Sequence, residues 1–135
     1  MSSNSIPTNS NIFSENFFTA NLFCNKREVA DYIWYLIREK NFNKLSEVYN
    51  RADLSKQNWC NYVSGKNLPN PVNARKLIVG LKCTLEEAET LLALCGFQFV
   101  KNNIVDDCIK QCINENIFNM TDVYIRIAAN SRNVA

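Results

Sequence analysis

The most constraining feature of this chain is how little it has to turn with. Three glycines and three prolines serve 135 residues. A chain so poor in turn formers reads as helices joined by short connections, and 135 residues suffice for one domain with one hydrophobic core. Apolar residues recur at helical spacing. Residues 27–41 carry Val29, Tyr32, Ile33, Leu36 and Ile37 on one face, with Trp34 and Tyr35 towards the flank. Residues 44–52 carry Leu45, Val48 and Tyr49, and a third helix, 55–64, starts on a capping Ser55. Gly65, Pro69 and Pro71 then break the pattern. Pro71 suits the first turn of a fourth helix, 71–82, with Val72, Leu77, Ile78 and Leu81 expected inside. Thr84 and Glu87 form a capping box for a fifth helix, bearing Leu85, Ala88, Leu91, Leu92 and Leu94 and stopping at Gly96. A sixth is expected over 102–116, with Ile104, Val105, Cys108, Ile109, Cys112 and Ile113 on one stripe, and a seventh from a capping Thr121 to about Ala129.

The beginning of the chain differs. Residues 1–11 are polar and are expected to be mobile. Residues 12–23 hold Ile12, Phe13, Phe17, Phe18, Leu22 and Phe23, with Ser14 as a cap. They read as a short aromatic arm that packs on the chain's own core, or alternatively on a partner or a second copy. The organisation expected is an arm (1–25), a central domain (26–97) and a helical extension (98–135) within the same compact unit.

Several function classes fall away. No run of 18 apolar residues is present, so no membrane span is expected. The Ser/Asn-rich start does not read as a secretory signal. Six scattered cysteines without a C-x-x-C pair suit small core residues in a reducing, cytoplasmic compartment. Histidine is absent, which removes the commonest general base and metal ligand. Cys108 and Cys112 stand one helical turn apart but lack partners to complete a zinc site. Glu86, Glu87, Glu89, Asp106 and Asp107 lie at helix starts, where they favour the macrodipole. No phosphate loop or nucleophile motif occurs. The expectation is a protein without enzymatic activity, metal or cofactor.

Charge points to a partner. Residues 26–82 hold 11 Lys/Arg against 5 Asp/Glu, a net of +6, whereas 83–135 carry a net of −3. A basic half suits an anionic partner. The segment SKQNWCNYVSGK, Ser55 to Lys66, followed by NLPNP, is the most specific stretch. Ser55, Trp59, Tyr62, Gly65, Lys66 and Pro69 fill, without a gap, the pattern of the third helix and exit loop of the Cro/phage-repressor (XRE-type) helix-turn-helix family, which this chain resembles. The resemblance runs over about residues 29–96. A narrower group of small bacterial helix-turn-helix proteins shares Val48, Tyr49, Arg51, Ala52 and Ser55, the step from Leu91 to Phe97, and two added C-terminal helices. Likeness to that group extends to about residue 127.

The resemblance implies an all-α fold: a five-helix Cro/repressor-like helix-turn-helix core with a two-helix C-terminal extension. It implies that Trp59 anchors the third helix while Lys56, Gln57, Cys60 and Asn61 face the major groove as base contacts. Lys44, Ser55, Lys66 and Asn67 are the expected phosphate contacts. No acidic residue occurs between Leu54 and Glu86, as a helix entering a phosphate-lined groove requires. Three departures bear on the crossing of the second and third helices. Tyr49 replaces a small residue, Asp53 stands where the turn usually has glycine, and an extra residue lies near Lys44–Ser46. The expected function is a sequence-specific, dimeric DNA-binding regulator of transcription acting on double-stranded DNA, with the acidic C-terminal helices as the dimer surface. The alternative is a small phage or mobile-element protein that uses the same scaffold to bind and inhibit a host protein or ribonucleoprotein, such as a defence nuclease.

Overall fold

The structure, a computed structural model, describes residues 24–134, and every regular element in them is a helix. In chain order these are α1 (Lys26–Glu39), α2 (Leu45–Arg51), α3 (Lys56–Val63), α4 (Pro71–Gly80), α5 (Leu85–Leu94), α6 (Ile104–Asn114) and α7 (Met120–Val134). None is long and apolar enough to cross a membrane. The polar start, the aromatic arm and its Ser14 cap lie outside the described residues.

Polar side chains start these helices. Ser55 and Thr84 cap α3 and α5, the latter in a complete capping box with Glu87, as their spacing predicts. Asparagine does the rest: Asn25, Asn70 and Asn103 accept N–H groups at the starts of α1, α4 and α6. Asn119 does the same for α7, accepting from the Thr121 N–H at 2.8 Å. Thr121 is therefore inside the helix rather than its cap, because the asparagine two residues earlier reaches its amide first.

The chain also solves its shortage of glycine. Each of α1 to α6 ends with a residue of positive φ: Asn41, Asp53, Gly65, Lys82, Gly96 and Asn116. After each of these, the next N–H reaches back to a carbonyl in the last turn: Phe42 to Ile37, Leu54 to Tyr49, Lys66 to Asn61, Cys83 to Ile78, Phe97 to Leu92 and Ile117 to Cys112. These are Schellman closures, which favour an apolar residue just past the left-handed position. Five of the six have one. The exception is Lys66, after α3.

Helix α4 runs through the centre. Ala74 and Leu77 to Leu81 are buried, and one apolar cluster joins them to α1, α2, α5, α6 and α7. Gly80 is needed where α4 crosses α2. A Cβ there would stand 2.6 Å from the Val48 carbonyl and 2.7 Å from the Ala52 Cβ. Arg51 seals the crossing: its Nη2 donates to the Gly80 carbonyl at 2.8 Å while its guanidinium lies 5.3 Å from the centre of the Phe42 ring. Two residues expected inside are not. Val72 and Leu85 are 61% and 44% exposed, because both lie in the first turn of helices that enter the core only from their second turn onwards.

Asp106, expected at a helix start for its charge alone, is buried. Both its oxygens meet the Arg75 guanidinium of α4, one at 3.0 Å, and it accepts the Val100 N–H at 2.8 Å. Arg75 also donates to the Gln98 carbonyl at 3.1 Å. Burial alone would raise the Asp106 carboxyl, but Arg75 and the Val100 amide outweigh it and hold it below the usual range. A carboxyl depressed in the folded state stabilises fully above its unfolded pKa, near ~3.9, and loses that contribution as pH falls through the folded value. Asp106→Asn leaves Arg75 without its counter-charge and should cost about 3–5 kcal/mol at pH 7 in chemical denaturation. The difference from the parent should shrink as the pH falls below about 4.

Candidate nucleic-acid interface

Helix α3 is mounted by a small number of residues. The turn before it has three residues, Ala52, Asp53 and Leu54, of which Ala52 and Leu54 are buried. Ser55 then caps it, its Oγ accepting the Asn58 N–H at 3.0 Å. Trp59 and Tyr62, one turn apart, are 3% and 5% exposed and fix the inner face. The Trp59 ring lies 6.1 Å from that of Tyr49, so the large residue of α2 forms part of the anchor. Tyr62 Oη accepts from Asn73 Nδ2 of α4 at 2.6 Å. At the far end, Trp34 Nε1 of α1 donates to the Val63 carbonyl at 2.9 Å.

With its inner face held in this way, α3 turns a polar face outward. Lys56, Gln57, Asn58 and Cys60 are exposed, and Asn61 is half-buried. Gln57 Nε2 donates to Asn61 Oδ1 at 3.1 Å. This contact uses one lone pair of the Asn61 side-chain oxygen and one Gln57 N–H. It leaves Gln57 with its carbonyl and a second N–H, the donor and acceptor that adenine N6/N7 requires, and leaves Asn61 with its NH₂ and one further lone pair. Ser55 spends a lone pair on its cap and keeps its hydroxyl proton for another acceptor.

The remaining expected contacts lie outside α3 itself. Lys44 is exposed at the residue before α2. Lys66 and Asn67 are exposed beyond the left-handed Gly65, with both amides bonded to the Asn61 carbonyl. Among the described residues, no carboxylate stands within ion-pair distance of Lys44, Lys56 or Lys66. Of the acids before α3, Asp31 pairs with Arg27 at 3.2 Å and Asp53 with Lys76 at 3.5 Å, whereas Glu28, Glu39 and Glu47 form no ion pair among the described residues. One cation was not expected here. The Arg27 guanidinium of α1 lies beside Gly65, 3.4 Å from where a Cβ on that glycine would sit. The separation of 38 residues conceals this in the sequence.

No group of three or more Cys, Asp or Glu among the described residues is arranged to hold a metal ion. Cys83, Cys95, Cys108 and Cys112 are buried, and burial pushes the Cys95 thiol up to about 12. The chain matches no known family, no curated protein and no solved structure. The assignment of this face therefore rests on its own chemistry. Trp59→Ala should remove the anchor of α3 and cost about 3–5 kcal/mol in thermal or denaturant unfolding. Substitutions of the exposed Gln57 should leave the unfolding midpoint within about 0.5 kcal/mol of the parent.

Proposed function

We propose that this chain is a sequence-specific DNA-binding protein of the Cro/phage-repressor helix-turn-helix type, a cytoplasmic regulator of transcription that acts as a dimer. The observation that carries the reading is the outer face of α3. It is a capped helix with an amide pair one turn apart, lysines at its edges and no carboxylate on it. Lys56, Gln57 and Asn61, with Cys60 between them, would face base edges. Lys44, Ser55, Lys66, Asn67 and Arg27 would take phosphates. A helix with a donor–acceptor edge at Gln57 suits an A·T pair, and unpaired lysines at the rim suit the flanking backbone.

One helix of this length reads few base pairs, and a dimer doubles the site, with half-sites about one helical turn apart. The surface proposed for that contact is the outward side of α7, where Ile125 is 62% exposed. Light scattering at micromolar concentration should give twice the chain mass and Ile125→Glu a single chain mass; a parent already at one chain mass would exclude the dimer.

Affinity for random duplex DNA should fall steeply as salt rises. Gln57→Ala should cost about 1–3 kcal/mol at a selected site and little on random DNA. Asn61→Ala should add little to that loss in the double variant, because the two amides act as one unit. Lys66→Ala should weaken both kinds of site alike and flatten the salt slope by about one unit. Absence of DNA affinity even at low salt would defeat this reading in favour of a host-protein or ribonucleoprotein target.

A further inference from the structure

We propose that Tyr124 is a positioning residue for α3: through Asp53, the C-terminal helix α7 sets the angle at which α3 leaves the turn. The Tyr124 hydroxyl donates to Asp53 Oδ2 at 2.6 Å across 71 residues of sequence. Lys76 of α4 converges on the same residue, with Nζ 3.2 Å from its carbonyl and 3.5 Å from Oδ2. Asp53 is the middle residue of the turn between α2 and α3 and has a φ of +57°. The Schellman bond from the Leu54 N–H to the Tyr49 carbonyl sets that conformation, as at the other helix ends, and here alone side chains from two neighbouring helices, Tyr124 and Lys76, converge on it as well.

The location of the tie is what gives it leverage. The far end of α3 is fixed to α1 by the bond from Trp34 to the Val63 carbonyl. Its near end, which carries Lys56 and Gln57, is directed by the three-residue turn. A helix of eight residues is about 12 Å long, so a rotation of about 10° moves one end relative to the other by about 2 Å. That displacement exceeds the distance range over which a base-edge hydrogen bond survives. Tyr124 is itself 43% exposed and Val123 beside it is fully buried, so the core anchors α7 while its hydroxyl reaches the turn. The consequence for DNA rests on the function proposed above; the orientation of α3 does not.

The test uses the full chain with Tyr124→Phe, Asp53→Gly and the double variant. Phenylalanine keeps the ring, and glycine accepts the positive φ, so both variants retain the turn. In amide NMR spectra, Tyr124→Phe and Asp53→Gly should each displace the resonances of residues 55–60 and the Trp59 indole. The double variant should match Asp53→Gly alone in α3. Shifts confined to residues 52–54 and α7 would overturn the proposal. Where the parent binds DNA, Tyr124→Phe should weaken the selected site about 2–10-fold with the salt slope unchanged. Parental affinity in that variant would equally overturn it. A parent without DNA affinity removes the functional reading, and the spectra still decide whether Tyr124 orients α3.

Discussion

Helix α4 can be enclosed by neighbours because its last turn ends in a glycine. At the crossing with α2, the Val48 carbonyl and Ala52 Cβ occupy the space that any side chain at position 80 would need. Close approach brings the Arg51 guanidinium within reach of the Gly80 carbonyl and leaves Arg51 Nε buried without a partner. Burial lowers the Arg51 pKa. The apolar contact of the two helices must outweigh that cost. From the same helix, Arg75 holds the loop before α6 through Asp106, and Lys76 holds the turn before α3 through Asp53. One buried helix thus aligns both the outward-facing α3 and the C-terminal pair.

The polar face of α3 follows from this mounting. Trp59 and Tyr62 commit one side of a two-turn helix to the core, and the other side has no apolar residue to hide except Cys60, which stays exposed. The Schellman closure at its end has Lys66 where the other five have an apolar residue. That lysine is exposed to solvent instead of sealing the turn, and Arg27 comes alongside Gly65 before it. Pairing adds to composition in setting the charge of the region, since Asp53, the acid nearest to α3 in sequence, is paired with Lys76.

Asp53 connects the two halves of the molecule. The Tyr124 bond, with Lys76 in support, holds its carboxyl below the usual range, while partial burial and the Asp53 carboxylate push the Tyr124 phenol up to about 12. Each group therefore keeps the proton state that the bond requires from weakly acidic to moderately alkaline pH. The C-terminal helices are joined to the rest both by shared core residues, among them Ile109, Cys112, Met120 and Val123, and by this polar tie to the turn.

The seven helices of the described residues were legible in the residue order, since a helix announces itself by local means: an apolar stripe at 3.6-residue spacing and, for α3 and α5, a serine or threonine before it and a glycine after it. The polar face of α3 was legible for the same reason, because the positions of Trp59 and Tyr62 leave Lys56, Gln57 and Asn61 on the other side. The caps at Asn25, Asn70, Asn103 and Asn119 were visible as residue types but not as caps, since asparagine also occupies turns and the exposed face of α3. What only the tertiary structure decided were contacts between residues far apart in the chain: Arg75 with Asp106, Arg27 with Gly65, and Tyr124 with Asp53. A charge or hydroxyl carries no periodic signal of its partner, and whether it is solvated, buried or paired depends on which helix the core brings beside it.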